Sequence, residues 1–153
     1  MDVQIVDVGP KRLACVRHVG PYEEAGVAWE KLSAWACPKG LFLPDTEYLG
    51  FSHDDPGTVP ASELRYDACL TVADDVEGEG EVQVRHFAGG TYGKYLHKGP
   101  YDGLKQVYYD LYTKWLPASG REPRPEPPFE KCLNDPHSTP QEELLTEVHI
   151  PLK

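Results

Sequence analysis

The chain repeats itself once. Shifting the sequence by 79 positions sets Val3-Gln4 on Val82-Gln83, and His18-Val19-Gly20-Pro21-Tyr22 on His97-Lys98-Gly99-Pro100-Tyr101. Six of the twenty positions from Val3 to Tyr22 are identical, where unrelated sequence gives about one. With one inserted residue, Asp55-Pro56-Gly57-Thr58-Val59-Pro60-Ala61-Ser62-Glu63-Leu64 falls on Asp135-Pro136-His137-Ser138-Thr139-Pro140-Gln141-Glu142-Glu143-Leu144, and five of those ten positions match. Two copies at so long a period exclude a solenoid. The expectation is one domain over 1–153, built from internal repeats 1–73 and 80–153.

Each copy carries the same order of local signals. Residues 3–8 and 12–18 are rich in Val, Ile, Leu and Cys and are bracketed by Gly9-Pro10 and Gly20-Pro21, which predicts a hairpin of two strands. Pro21 stands where a first helical residue would, with Glu23 and Glu24 at the positive end. Ala25, Ala28, Trp29, Leu32 and Ala36 then recur at helical spacing up to Pro38-Lys39-Gly40. Strands follow near 46–53 and 64–72, the latter alternating Leu64, Tyr66, Ala68, Leu70 and Val72 with polar residues and Cys69. The second copy gives strands near 81–87 and 91–98, a helix from Pro100 to about Trp115, and strands near 128–134 and 143–151. The acidic stretch from Asp74 to Glu81 is a solvated connector. The four prolines within 120–128 mark an irregular loop. Neither copy is large enough to close a core alone. The predicted class is α+β: duplicated strand-helix-strand-strand modules sharing one antiparallel sheet, with two main helices on one face in pseudo-twofold arrangement.

Composition removes several functions. With 25 Asp plus Glu against 15 Lys plus Arg, the formal charge is −10, the wrong sign for direct binding to a phosphate backbone. No apolar run nears the ~20 residues that span a membrane. The N-terminus, Met1-Asp2-Val3-Gln4, lacks signal-peptide character, so a cytoplasmic location is expected. Cys15, Cys37, Cys69 and Cys132 form no Cys-x-x-Cys pair, and the six histidines show no metal-ligand spacing. Four reduced, mostly buried cysteines are expected, with no metal and no cofactor.

Two helices over one sheet leave a groove, the default place for a small-molecule site. Nine Tyr and three Trp are available to line it. Tyr108, Tyr109 and Tyr112 crowd the second helix ahead of Trp115, while Trp29 and Trp35 lie on the first. Any one of them also has a plain role as core. Glu130 is the most informative residue: it sits in Pro127-Pro128-Phe129-Glu130-Lys131-Cys132-Leu133, inside a strand, at the position that Gly50 holds in the first copy. Alternation puts Glu130 and Cys132 on one face and Phe129 and Leu133 on the other. On the groove floor its carboxylate would be desolvated and its pKa raised, unless a cation between tyrosine faces compensates. The alternative is a half-exposed strand Glu paired with Lys131 or another base.

The segments His97-Lys98-Gly99-Pro100-Tyr101, Tyr112-Thr113-Lys114-Trp115-Leu116-Pro117, Phe129-Glu130 with Leu133-Asn134-Asp135-Pro136, and Leu64-Arg65-Tyr66-Asp67-Ala68-Cys69 together resemble the GyrI-like family. The resemblance runs the length of the chain. It implies a stand-alone domain that binds hydrophobic, often cationic compounds in an aromatic groove around a central glutamate. Glu130 takes that role, with Tyr48, Tyr108, Tyr112, Trp115, Trp35 and His149 as further ligand contacts. His149 replaces a common aromatic and would make one wall titratable near neutral pH, while Cys132 and Lys131 also depart from the family pattern. Two other functions follow from the resemblance. One is inhibition of DNA gyrase through protein contact. The other is hydrolysis of cyclopropane-bearing alkylating natural products, with Glu130 as the catalytic residue acting on water.

Overall fold

The computed structural model describes residues 1–153. They fall into two compact units, Gly9–Gly89 and Met1–Val8 joined with Gly90–Lys153. The strands are β1 (Val3–Val8), β2 (Lys11–Val19), β3 (Tyr48–Ser52), β4 (Arg65–Thr71), β5 (Gln83–Phe87), β6 (Gly90–Lys98), β7 (Phe129–Cys132) and β8 (Leu145–Pro151). The Gly9–Gly89 unit orders its antiparallel strands β3-β4-β2-β5. The other unit has the order β1-β6-β8-β7, also antiparallel. The fold is α+β, as the repeat predicts.

The predicted hairpin of residues 3–8 with 12–18 does not form. β1 pairs with β6, and β2 pairs with β4 and β5. A two-residue hairpin needs positive φ at its turn, yet Gly9 does not adopt it and Pro10 cannot. Gly9-Pro10 therefore closes no tight hairpin turn. Each unit takes its edge strand, β1 or β5, from the opposite sequence repeat. Because the two first strands share one alternation, the sequence pattern fits either pairing equally well.

Each unit packs one helix on its sheet. Helix α1 (Gly26–Ala36) buries Ala28, Leu32 and Ala36 against Ala14, Val16, Ala68 and Leu70. Small residues on both sides let helix and sheet approach closely. In the other unit α2 (Leu104–Asp110) continues through a π turn at Leu111–Trp115 into α3 (Leu116–Ser119). Leu104, Val107, Leu111 and Leu116 from this helix cover Val148, Ile150 and Leu152. Burying each such Leu or Ile is worth about 1.5–3 kcal/mol. The helix outlasts its predicted end at Trp115. Pro117 has no N–H to give the preceding turn, and the widened turn absorbs this: the Leu116 amide bonds back to the Leu111 carbonyl.

The two repeated motifs are turn hardware. Pro21 and Pro100 are extended, with ψ of 138° and 152°, and each stands just outside a short 3₁₀ turn that leads into the helix. They are caps rather than first helical residues. The preceding Gly20 and Gly99 have φ of 140° and 134°, a region that a side chain strains. His18 and His97 close the same turns, each holding its Nε2 3.0 Å from the carbonyl of Pro21 or Pro100. A carbonyl only accepts, so both rings carry a proton on Nε2. In the second motif Asp55 and Asp135 each accept, on Oδ1, a 2.8 Å hydrogen bond from the amide two residues on. Gly20→Ala and Gly99→Ala should each lower unfolding free energy by about 1–3 kcal/mol, read by urea denaturation. An Ala at the unstrained Gly9 serves as the control, with little change expected.

Candidate functional site

Register decides which side chains share a face. Glu130 is opposite Val148, and Cys132 is opposite Thr146. Val148 belongs to the core under α2, so Glu130, Cys132 and Thr146 lie on the helix-bearing face. There the Tyr108 hydroxyl donates to Glu130 Oε1 at 3.0 Å. Burial pushes the Glu130 carboxyl up to about 7, and the Tyr108 hydrogen bond only partly opposes that rise. No base pairs with it. Lys131, the alternative partner, leaves the strand on the opposite face, across from Glu147.

Around this pair sit groups of the same chemical kind. Tyr101 and the Cys132 thiol are neighbours, each influencing the other's ionisation. Burial first, and then the neighbouring Glu130 charge, push that thiol up to about 12. Tyr101 is raised as well, by burial first and then by Cys132. Tyr112, one turn beyond Tyr108, is pushed up to about 12 by burial alone. Thr146 is fully buried and its hydroxyl has no hydrogen-bond partner. Every ionisable group here is driven toward its neutral form, and none is a cation. The site is a half-buried acid walled by phenols.

The structure does not gather all the residues that the sequence suggested. Glu130 and Tyr108 touch, with Tyr112 following on the same helix. Trp115 lies instead over β6, where a Cβ added at Gly93 would meet its ring at 3.2 Å. Because β8 intervenes between β6 and β7, it packs as core about 10 Å from the Glu130 strand. His149 is on the other face. It is opposite Phe129 and stacks on that ring with centroids 4.3 Å apart and planes at 9°. Burial lowers its pKa to about 4, so the expectation of a wall titrating near neutral pH is corrected: the ring is uncharged at pH 7. Tyr48 and Trp35 belong to the Gly9–Gly89 unit, packed against its core. Tyr101, Cys132 and Thr146 were not among the expected contacts. Cys132 alone carried a signal, through its place two residues beyond Glu130.

The first copy shows why there is one such site and not two. Gly50 occupies the position of Glu130, and the Tyr66 ring fills the space above it: a Cβ on Gly50 would fall 2.7 Å from Tyr66 Cζ. Trp29, the counterpart of Tyr108, donates through Nε1 to the Tyr66 hydroxyl at 3.1 Å. In the second copy Thr146 replaces Tyr66 and leaves that volume to the carboxylate.

The model of the GyrI-like small molecule binding domain matches residues 1–153. The chain belongs to the GyrI-like family. A DNA gyrase inhibitor of Erwinia billingiae is 31% identical over 156 residues, covering 99% of this chain and 97% of that protein. The C-terminal domain of EcmrR superposes with a TM-score of 0.81 at 19% identity, over 99% of this chain and 97% of that one. SAV2435, solved bound to tetraphenylphosphonium, superposes with a TM-score of 0.71 at 16% identity, over 100% of this chain and 94% of that one. At these identities the two structures establish the GyrI-like fold. No helix is long and apolar enough to cross a membrane.

The raised carboxyl has a consequence for stability. In the unfolded chain a Glu titrates near about 4.3, whereas folded Glu130 holds its proton to about 7. The folded state therefore binds more protons between those values, and stability falls as pH rises through that window. Glu130→Gln abolishes the term. Above pH 7 the variant should be more stable than the wild type by about 2–3 kcal/mol, the difference closing below pH 5. Urea unfolding at pH 5 and pH 8 measures it, and a difference independent of pH would refute it.

Proposed function

We propose that this GyrI-like domain binds hydrophobic cations on the helix-bearing face of the second-copy sheet, with Glu130 as the counter-charge. One observation carries the reading: a carboxylate desolvated against phenol rings, with no base to neutralise it. Leaving such a charge unpaired is costly. An organic cation repays that cost in two ways, by Coulomb attraction at low dielectric and by contact with the faces of Tyr108 and Tyr112. A strongly hydrated small cation gains less, because phenol rings replace its water shell poorly. The buried Thr146 hydroxyl offers one polar contact to a ligand that reaches the strand. The compound class bound by SAV2435 suits this chemistry. The protein would sense or sequester such compounds.

The pKa near 7 also favours a second reading. A carboxylate at that value is matched to removing a proton from water, as hydrolysis of a cyclopropane-bearing alkylating compound requires. Binding and turnover separate in one variant. Tetraphenylphosphonium should bind the wild type by calorimetry, with Glu130→Gln weakening it roughly 10–100-fold, the range for a lost charge-assisted contact. Affinity should rise about tenfold from pH 6 to pH 8, as Glu130 ionises, while an uncharged aromatic ligand of similar size should show no such rise. Equal binding by wild type and variant would overturn the cation reading. Turnover of an alkylating substrate that Glu130→Gln abolishes without loss of binding would install the hydrolase. Inhibition of gyrase supercoiling by the protein without ligand would move the function to the activity named for the Erwinia relative.

A further inference from the structure

The helix-free face of the Gly9–Gly89 unit holds a polar cluster that ligand binding does not use. Cys15 and Cys69 are directly opposite each other on β2 and β4. Both are buried, at 5% and 0% exposure, and both are free thiols. Arg85 on β5 donates from Nε to Cys15 Sγ at 3.4 Å and from an Nη to Cys69 Sγ at 3.9 Å. The same guanidinium lies 2.8 Å from Asp67 Oδ2. Asp67 is also held by Arg17, at 2.8 and 3.0 Å, and by His53 at 2.6 Å. The fork is thus anchored on one side and aimed at two sulfurs on the other.

The ladder fixes how close those sulfurs come. At its ends the Gly20 amide bonds the Leu64 carbonyl and the Val72 amide bonds the Arg12 carbonyl. Hydrogen-bonded pairs alternate along an antiparallel ladder, so even-numbered residues of β2 take those sites. Cys15 and Cys69 are then a non-hydrogen-bonded pair, the closer of the two kinds, with Cα atoms about 4.5 Å apart. Disulfides span about 4.4–6.8 Å between Cα atoms. Bridging therefore needs side-chain rotation and little backbone movement.

We propose that Cys15 and Cys69 are a redox-active pair that closes reversibly to a cross-strand disulfide, with Arg85 as the positioning residue. The two sulfurs are unlike. Hydrogen bonds from Cys69 and Arg85 lower the Cys15 pKa, whereas burial, then the neighbouring Cys15, raise that of Cys69. Cys15 is the attacking thiolate and Cys69 the resolving thiol. With a peroxide as oxidant, the Cys15 sulfur attacks one oxygen and the O–O bond breaks. The departing hydroxide takes a proton to leave as water, and Cys15 becomes a sulfenic acid. The Cys69 sulfur then displaces that oxygen, which leaves as a second water carrying the Cys69 proton. Two thiols are oxidised and one peroxide is reduced to water. A small dithiol reverses the bridge by exchange.

The test uses the full chain, reduced and then exposed to one equivalent of hydrogen peroxide. Free thiols titrated after denaturation should fall from four to two. Non-reducing peptide mapping should join the Cys15 and Cys69 peptides, with a mass lower by two hydrogens, and dithiothreitol should restore both thiols. Arg85→Lys, which keeps the charge but loses the fork, should slow bridging at pH 7 by roughly tenfold. Arg85→Gln provides the same comparison if the lysine variant does not fold. Oxidation confined to Cys37 or Cys132, or Cys15 ending as an unbridged sulfinic acid, would overturn the pair. Bridging at the wild-type rate in a folded Arg85 variant would overturn the role given to Arg85.

Discussion

The exchange of first strands is the constraint on which the rest of the structure depends. β1 completes the run of strands β6, β8 and β7, and β5 completes the run β3, β4 and β2. A strand left unpaired would expose a row of backbone donors and acceptors. Neither repeat can therefore fold to its final form without the other. The exchange also sets the two faces. The β1–β6 and β6–β8 registers align Val3, Tyr95 and Val148 under the helix, and the β7–β8 register then places Glu130 on that same face.

Duplication gave the protein two equivalent positions, and the copies diverged. The first is closed by packing: Tyr66 lies over Gly50 and satisfies its hydroxyl on Trp29. The second keeps an acid whose solvation is incomplete. Residual cost is the usual mark of a site that meets a ligand, because a packed core would have removed it. The histidines of the repeated His-x-Gly-Pro-Tyr segments carry no such mark. They bond to the turn carbonyls in both copies alike, as expected where identical residues meet identical geometry.

The helix-free face follows a different logic in each unit. In one, His149 stacks on Phe129 with Tyr92 edge-on to both rings, and the histidine is held neutral. In the other, Asp67 gathers Arg17, Arg85 and His53, and its carboxyl is held far below the usual range. A buried carboxylate is tolerable only when it has partners of good geometry, and the fork of Arg85 reaches both the carboxylate and the two thiols.

How much of this was legible before folding depends on range. Strand positions, both main helices, the repeated turns and the face shared by Glu130 and Cys132 follow from local alternation and from Gly and Pro, whose backbone limits act within a few residues. The sequence also singled out Glu130, an acid beside Phe129 on a strand whose first-copy counterpart is Gly50. Tertiary structure alone decided which first strand pairs with which, because both copies present the same pattern. It alone separated Trp115 and His149 from Glu130, since helical spacing does not say which strand lies beneath and a strand does not name its helix-bearing face. The facing of Cys15 and Cys69 was hidden for the same reason. Residues 15 and 69 become neighbours only through register, a non-local quantity that no window of sequence contains.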